Sequence, residues 1–144
     1  MWQRIQTLYL AIATGLIITL FFSVRCFSIG QGGAHVDELR YTQFVPYLVL
    51  LVVIALLQVL ALFTYNVRVF QMRTAILSAI LLLALQAWLA VEYFTVDGVV
   101  FKFTVVFPLV AAGFDALAAR NIFRDQLLVE SISHLRSKKK NRKV

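Results

Sequence analysis

The sequence is poor in residues that interrupt helices, cross-link chains or carry negative charge. Among 144 residues there are one cysteine, two prolines and six glycines, and seven acidic residues stand against 14 lysines and arginines. The single cysteine, Cys26, excludes an intramolecular disulfide. It does not fit a lipoprotein signal either, because Arg25 occupies the preceding position, where a small residue is needed. Hydrophobic residues make up 61% of the chain, more than a soluble domain of this size hides in its core.

Long apolar runs dominate what is present. Ile5–Val24, Tyr41–Val67 and Thr74–Val91 contain no Asp, Glu, Lys or Arg, and Phe103–Ala119 contains only Asp115. About 20 apolar residues of helix cross the roughly 30 Å hydrocarbon core of a bilayer. The sequence therefore predicts an all-α membrane protein, a bundle of four transmembrane helices in one membrane domain over residues 1–144. The predicted helices cover about residues 3–22, 44–65, 73–94 and 103–124, and a cytoplasmic amphipathic helix with a basic tail covers 125–144.

The net charge of +7 is divided unevenly between the ends of these runs. Eleven lysines and arginines fall before the first run, between the second and third, and after the fourth, whereas only Arg25, Arg40 and Lys102 fall on the other side. Positive residues near span ends stay on the cytoplasmic side of a membrane. Both termini are therefore predicted to be cytoplasmic, and the first run is interpreted as a retained helix because no small-x-small cleavage site follows it.

Two prolines and one Asp-Gly pair predict local features. Pro46 falls in the first turn of the second helix, where its missing N–H costs little, and Pro108 lies far enough into the fourth helix to kink it. The segment Phe94–Phe101 places Asp97-Gly98 between β-branched residues, which favours a two-residue turn between strands, although an ordinary short loop is an equal alternative. If the hairpin forms, Cys26–Ile29 can add a strand and complete a small β cap on the outer side. The short connection 66–72 makes helices two and three antiparallel neighbours.

Asp115 is the first candidate functional residue, because an acid within a membrane span usually faces a partner or a water-filled cavity. At 1.5 Å per residue it lies about 18 Å from the outer start of its helix, and Gln58 lies about 21 Å from the start of helix two. The two side chains are expected to share a depth and to hydrogen-bond, with Tyr9 or Thr7 joining from helix one. A proton- or cation-coupled site is one interpretation, and a purely structural bond within the bundle is the favoured one.

Other polar residues give weaker signals. Glu92 near the outer interface is interpreted as a solvated charge, with Arg25, Arg40 or Lys102 as alternative partners. His35, Asp37 and Glu38 are metal-ligand types, but a polar loop explains them better than a zinc site of fixed geometry. No Ser-His-Asp set, nucleotide-binding loop or CxxC pair is present, so neither an enzyme nor a cofactor is predicted.

The segment after the fourth run predicts a contact surface. Leu128, Ile132 and Leu135 share one helical face, and six of the eight residues 136–143 are basic. Near an anionic leaflet each lysine or arginine contributes about 1 kcal/mol. Contact with lipid headgroups, or a role as a topology determinant without a partner, is therefore favoured over binding of nucleic acid. Ile122 and Phe123 extend this docking surface. Its candidate polar members are Arg120, Arg124, Arg136, Lys138, Lys139, Lys140, Arg142 and Lys143.

Three stretches carry a resemblance to a known family: Met1–Leu10, Phe107–Leu109 and Ala118–Asp125, the last leading to Leu135-Arg136. They resemble a family of small four-helix integral membrane proteins of Bacteroidetes, known only as a domain of unknown function. That family typically carries a glutamate where this chain has Gln126. The resemblance implies the inner membrane of a Gram-negative cell and supplies no activity or substrate.

The sequence thus favours a non-enzymatic accessory or scaffold subunit of an inner-membrane assembly, held by a membrane-protein partner or by copies of itself. The alternative is a small transporter or proton-coupled carrier that uses Asp115 and Gln58. A lipid-modifying enzyme is disfavoured because no nucleophile–base pair falls near the headgroup level.

Overall fold

The computed structural model describes residues 2–29, 36–64 and 66–141, with side chains at 5–28, 37–64 and 66–133. It is mostly helical, with a small antiparallel sheet at one end. The helices are α1 (Trp2–Phe22), α2 (Val45–Phe63), α3 (Arg68–Thr95) and α4 (Phe107–Asn141). The strands are β1 (Val24–Ile29), β2 (Val36–Arg40) and β3 (Val99–Phe101). The prediction of four long apolar helices with a small β element is confirmed.

The four helices form a ring around a shared core. The main helix contacts join α1 to α2, α2 to α3, α3 to α4, and α4 back to α1, so α2 and α4 lie diagonally opposite. Helices two and three pack together as expected from the few residues between Phe63 and Arg68. We call the end that carries the sheet the cap end and the opposite end the far end.

Two helix boundaries differ from the prediction. Helix α3 begins at Arg68 rather than near residue 73, because arginines are good helix formers and their long side chains can leave an apolar bundle while the backbone stays helical. Residues Phe103–Val106 form a 3₁₀ turn and α4 begins only at Phe107. Pro108 therefore lies in the first turn of α4, where it removes no helical hydrogen bond, and the predicted kink is wrong. Pro46 lies in the first turn of α2, as predicted.

The β cap forms, but by a different route from the predicted hairpin. Helix α3 continues to Thr95, and Asp97-Gly98 then turns the chain from this helix into β3 rather than from one strand into another. Gly98 has φ +77°, a conformation that glycine adopts at little cost. Strand β1 is central in the order β2-β1-β3, and Cys26 pairs with Leu39 on one side and Phe101 on the other.

The outward surface of the bundle is apolar. Each helix contains a window of at least 18 residues that is long and apolar enough to cross a membrane, and no more than 33% of any window is buried. Large side chains such as Ile18, Leu56 and Ile80 are more than half exposed. By length and composition, all four helices could therefore span a bilayer.

Candidate functional site: a polar layer in the bundle and an extended fourth helix

A layer of four polar side chains, one from each helix, crosses the centre of the bundle. We call Thr14, Gln58, Ser78 and Asp115 the polar layer. It separates two apolar clusters. The cluster on the cap side contains Ala13, Ile17, Leu20, Tyr41, Tyr47, Leu51, Ile54, Leu82, Leu85, Leu89, Ala111 and Ala112. The cluster on the far side contains Leu10, Ala61, Ala75, Ala118 and Ala119. The small side chains of this second cluster let the helices approach closely beside the layer.

Gln58 is the hub of the polar layer. Its Nε2 donates to Asp115 Oδ2 at 2.6 Å and to Ser78 Oγ at 3.0 Å. Its Oε1 lies 3.3 Å from the Thr14 hydroxyl, which also donates to the Leu10 carbonyl at 2.7 Å. One amide therefore uses both donor hydrogens within the bundle, and its acceptor competes with the nearer Leu10 carbonyl for the single Thr14 proton. Since these groups are buried away from water, the bonds hold all four helices in register.

The layer is sealed from the outside. Gln58, Ser78 and Asp115 have 0% exposed surface and Thr14 has 9%. Asp115 Oδ1 is buried and has no hydrogen-bond partner among the described residues, and none of their ion pairs includes this carboxyl group. Asp115 therefore keeps one acceptor atom unused while its other oxygen is fixed by Gln58.

The structure brings two of the three predicted layer residues together and separates the third. Gln58 and Asp115 hydrogen-bond across the bundle, whereas Tyr9 lies on the far side of the layer with its ring centroid 6.0 Å from that of Phe114. Helix α1 contributes Thr14 instead of Tyr9. The functional role of these residues stays a prediction.

Sequence reasoning missed Thr14 and Ser78, although a signal for both was present. Thr14 falls on one helical face with Leu10 and Ile17, and Ser78 shares a face with Ala75 and Leu82. A hydroxyl on a buried apolar face of this kind points into the core, where it can hydrogen-bond to polar side chains of the neighbouring helices. Small hydroxyls can also satisfy themselves on their own helix backbone, as Thr14 does on Leu10, and spacing alone does not separate the two roles.

A second buried polar cluster connects the cap to the bundle. Arg25 of β1 donates from Nη1 to both Glu92 oxygens, at 3.1 and 2.9 Å, and Tyr47 donates its hydroxyl to Glu92 at 2.9 Å. The Arg25 guanidinium lies 4.8 Å from the Tyr47 ring centroid, within cation–π range. We call these three residues the cap clamp. The interpretation of Glu92 as a solvated charge is therefore wrong, and Arg25 is its partner.

Burial continues beneath the cap at Tyr41, between β2 and α2. Its side chain has no exposed surface, and this burial raises the pKa of Tyr41 to about 12. Cys26, the neighbour of Arg25, is 2% exposed. No group of three or more potential metal ligands lies among the described residues, and His35 is outside them. The cap thus packs against the helix ends with Tyr41 and Cys26 buried, and the cap clamp connects it to α2 and α3.

At the far end, α4 continues beyond the other helices. Arg120, Phe123 and Arg124 are exposed, whereas Ile122 is fully buried. The inclusion of Ile122 in the docking surface is therefore wrong, because it faces the bundle. Every residue from 127 to 133 is exposed, and the apolar ones include Leu128 at 62% and Ile132 at 63%. The predicted contacts of Leu135, Arg136, Lys138, Lys139, Lys140, Arg142 and Lys143 involve side chains that lie outside the described residues.

Comparison with family models matches residues 2–135 to the family described as Domain of unknown function (DUF4293). The chain belongs to this family. Neither the curated proteins nor the solved structures contain a match to the chain. The family match covers the polar layer, the cap clamp and α4 as far as residue 135, and it supplies no activity or substrate.

In this DUF4293 member, the two terminal stretches that carry the sequence resemblance meet in space. Gln6 of α1 is 6% exposed and donates from Nε2 to Asp125 Oδ2 of α4 at 2.6 Å. This bond fixes the beginning of the chain to the point where α4 leaves the bundle. The family-like residues at the far end therefore have a structural role in anchoring α4.

Proposed function

We propose that this protein is a multi-pass protein of the bacterial inner membrane, in a Bacteroidetes-type Gram-negative cell, with both termini in the cytoplasm. The far end carries Arg68, Arg73, Arg120 and Arg124, and the basic tail follows. Of the three cations at the cap end, Arg25 is neutralised by Glu92. Its neutralisation increases the difference in positive charge between the far end and the cap end, and such a difference orients membrane proteins.

Aromatic residues support the same placement. Near the cap end, Trp88, Tyr93, Phe94 and Phe103 have large exposed surfaces. Aromatic side chains of this kind, above all Trp and Tyr, are favoured at the headgroup level of a bilayer. Cysteine labelling tests the topology: a cysteine at Asp97 is expected to react in intact spheroplasts, and one at Ser133 only after permeabilisation. The reverse pattern contradicts the proposed orientation.

Within the membrane, the protein acts as a non-enzymatic accessory or scaffold subunit of a larger assembly. One observation carries this proposal: exposed apolar residues continue along α4 after the bundle has ended, where no other part of the described chain covers them. Large apolar side chains exposed on a projecting helix are typical of protein-interaction surfaces. The sealing of the polar layer supports it too, because Gln58 and Asp115 are used to hold helices together.

Purification at native expression level tests this role. The tagged protein, extracted from its own membranes in a mild detergent, is expected to retain a partner at fixed stoichiometry through size-exclusion chromatography. Recovery of a clean monomer contradicts the accessory role.

A small transporter or proton-coupled carrier is the second candidate, favoured by the unused and buried Oδ1 of Asp115. A free acceptor at the centre of a membrane bundle is where a proton or cation would bind. This function predicts that Asp115→Asn abolishes an ion-dependent flux in proteoliposomes while the protein stays folded. A variant that folds and leaves every measured flux unchanged contradicts it.

A further inference from the structure

The far part of α4 is a free helix with one polar anchor at its base. Asp125 receives the hydrogen bond from Gln6, and from Leu127 onward each described side chain is exposed. The helix itself continues without interruption to Asn141, and no proline or glycine occurs in it after Gly113. We call residues 127–141 the α4 extension. Because it continues α4 without a residue that causes a sharp kink, it leads away from the bundle rather than folding back on it.

The face of α4 that leads into the α4 extension carries basic and then apolar residues. Arg120, Arg124, Leu128 and Ile132 follow at intervals of four and are all exposed. Side chains at this spacing lie beside one another on a helix surface. The sequence then adds six basic residues among the eight at 136–143 and only one acid, Glu130, after Asp125. The surface is therefore an apolar stripe in a strongly positive field.

Lipid does not explain the far part of this stripe. Asp125 is bonded to Gln6 near the start of α1, so it marks the far end of the bundle, and Ile132 is seven residues further, about 10 Å along the helix. The headgroup region adds only about 5–8 Å to each side of the hydrocarbon core. Ile132 therefore extends past the headgroups, where an exposed isoleucine gains nothing from lipid.

A second copy of the chain is also a poor occupant. Two parallel α4 extensions brought side by side would place their basic segments next to each other. Like charges at helix–helix contacts are unfavourable, and no acidic segment of the chain is available at this end to offset them. The complementary surface is a helix with an apolar stripe flanked by acidic residues.

Building on the accessory role proposed above, we infer that the α4 extension binds an acidic amphipathic helix of a partner protein. The apolar contacts centre on Leu128 and Ile132, which supply affinity, and the basic residues that precede and follow them in the sequence supply charge complementarity and fast association. The recognised chemistry is a helical segment with leucine-type residues at i, i+3/i+4 and i+7 between glutamates and aspartates.

A direct binding measurement tests this inference with the full-length protein in phosphatidylcholine nanodiscs. The probe is a fluorescent synthetic 16-residue peptide with leucines at helical spacing and glutamates elsewhere. A scrambled peptide of identical composition and a single-stranded RNA of similar negative charge are the comparisons. The patterned peptide is expected to bind at least tenfold more tightly than the scrambled one. Leu128→Gln combined with Ile132→Gln should reduce its affinity at least tenfold, whereas the matched control Ser133→Gln on the same extension should leave it within twofold.

Three outcomes overturn the inference. Equal binding of patterned and scrambled peptides shows charge attraction alone, and tighter binding of RNA shows a nucleic-acid surface. Strong protection of amides 127–133 from hydrogen exchange on adding phosphatidylglycerol to the nanodiscs shows a lipid-bound helix. None of these results removes a partner found by native purification, so failure here is distinguishable from failure of the accessory role.

Discussion

Gln58 and Asp115 hydrogen-bond across the diagonal of the bundle, between helices that make few other contacts with each other. The 2.6 Å bond links α2 to α4, which lie on opposite sides of the ring. The Gln58 bonds to Ser78 and Thr14 join adjacent helices, which also pack through apolar side chains, whereas the bond to Asp115 ties opposite helices together. The polar layer therefore fixes how the four helices are set against one another.

Replacing Gln58 should destabilise the bundle more than replacing Gln86 of α3. Gln58→Leu leaves the buried groups of Asp115, Ser78 and Thr14 without the hub, at an expected cost of about 1–3 kcal/mol in the free energy of unfolding. Gln86 Oε1 has no partner among the described residues, so Gln86→Leu should be neutral or stabilising. Unfolding in mixed detergent–SDS micelles measures both. Equal effects of the two substitutions would show that the hub bonds add nothing.

Breaking the cap clamp should loosen the cap without unfolding the bundle. Glu92→Gln removes the charged partner of the nearly buried Arg25, and the expected loss of stability is about 1–3 kcal/mol. Because Cys26 lies beside Arg25, its thiol should also react faster with maleimide. The control is Glu38→Gln, since Glu38 meets Arg40 only at 4.0 Å with both side chains 54% exposed, and surface pairs contribute little. An unchanged Cys26 reaction rate in Glu92→Gln contradicts the role of the clamp.

Alkaline pH should weaken the fold through Tyr41. Its pKa is raised to about 12 in the folded protein, above the value of 10.0 in the unfolded chain. The unfolded state therefore loses its proton first as pH rises through 10, and stability falls until the folded pKa is passed. Between pH 9 and 11 the wild type should lose about 1 kcal/mol more than Tyr41→Phe, measured by unfolding at each pH. If the free energy of unfolding changed with pH in the same way in both proteins, Tyr41 would be solvent-exposed rather than buried.

The turn into β3 depends on glycine. A side chain at position 98 meets no atom within 4 Å, so Gly98→Ala should cost about 1–2 kcal/mol only through the positive φ. Gly113 also has open space, but it lies in helix α4, and Gly113→Ala should stabilise by about 0.5–1 kcal/mol. Thermal unfolding in detergent compares them. A gain in stability from Gly98→Ala would mean that the chain does not require this turn.

The general form of the fold follows from the sequence, because charge-free runs of this length have few alternatives to spanning helices. The predictions that were wrong concern helix boundaries and one turn, where two local sequence signals favour different structures. Arg68 begins a helix although charge was interpreted as a loop, and Pro108 opens α4 because a 3₁₀ turn precedes it. Asp97-Gly98 follows a helix instead of a strand, since α3 extends to Thr95. A turn motif does not encode whether a helix or a strand precedes it.

Only part of the candidate site could be predicted from the sequence. Gln58 and Asp115 stand out because amide and carboxyl groups are costly in hydrocarbon, and their depths agree. Thr14 and Ser78 carry no such cost, so only the packed structure assigns them to the layer. The pairing of Arg25 with Glu92 depends on β1 lying over the helix ends, which no spacing along the chain encodes.

Native-membrane purification of three proteins tests the central claim most directly. Wild type, Asp115→Asn and the double variant Leu128→Gln/Ile132→Gln are expressed at native level, and the ratio of co-purified partner to bait is measured. Asparagine keeps an oxygen that can accept from Gln58, so Asp115→Asn should retain the partner as wild type does, while the double variant should lose at least nine-tenths of it. A wild-type protein recovered alone, or partner loss caused by Asp115→Asn and not by the double variant, contradicts the account.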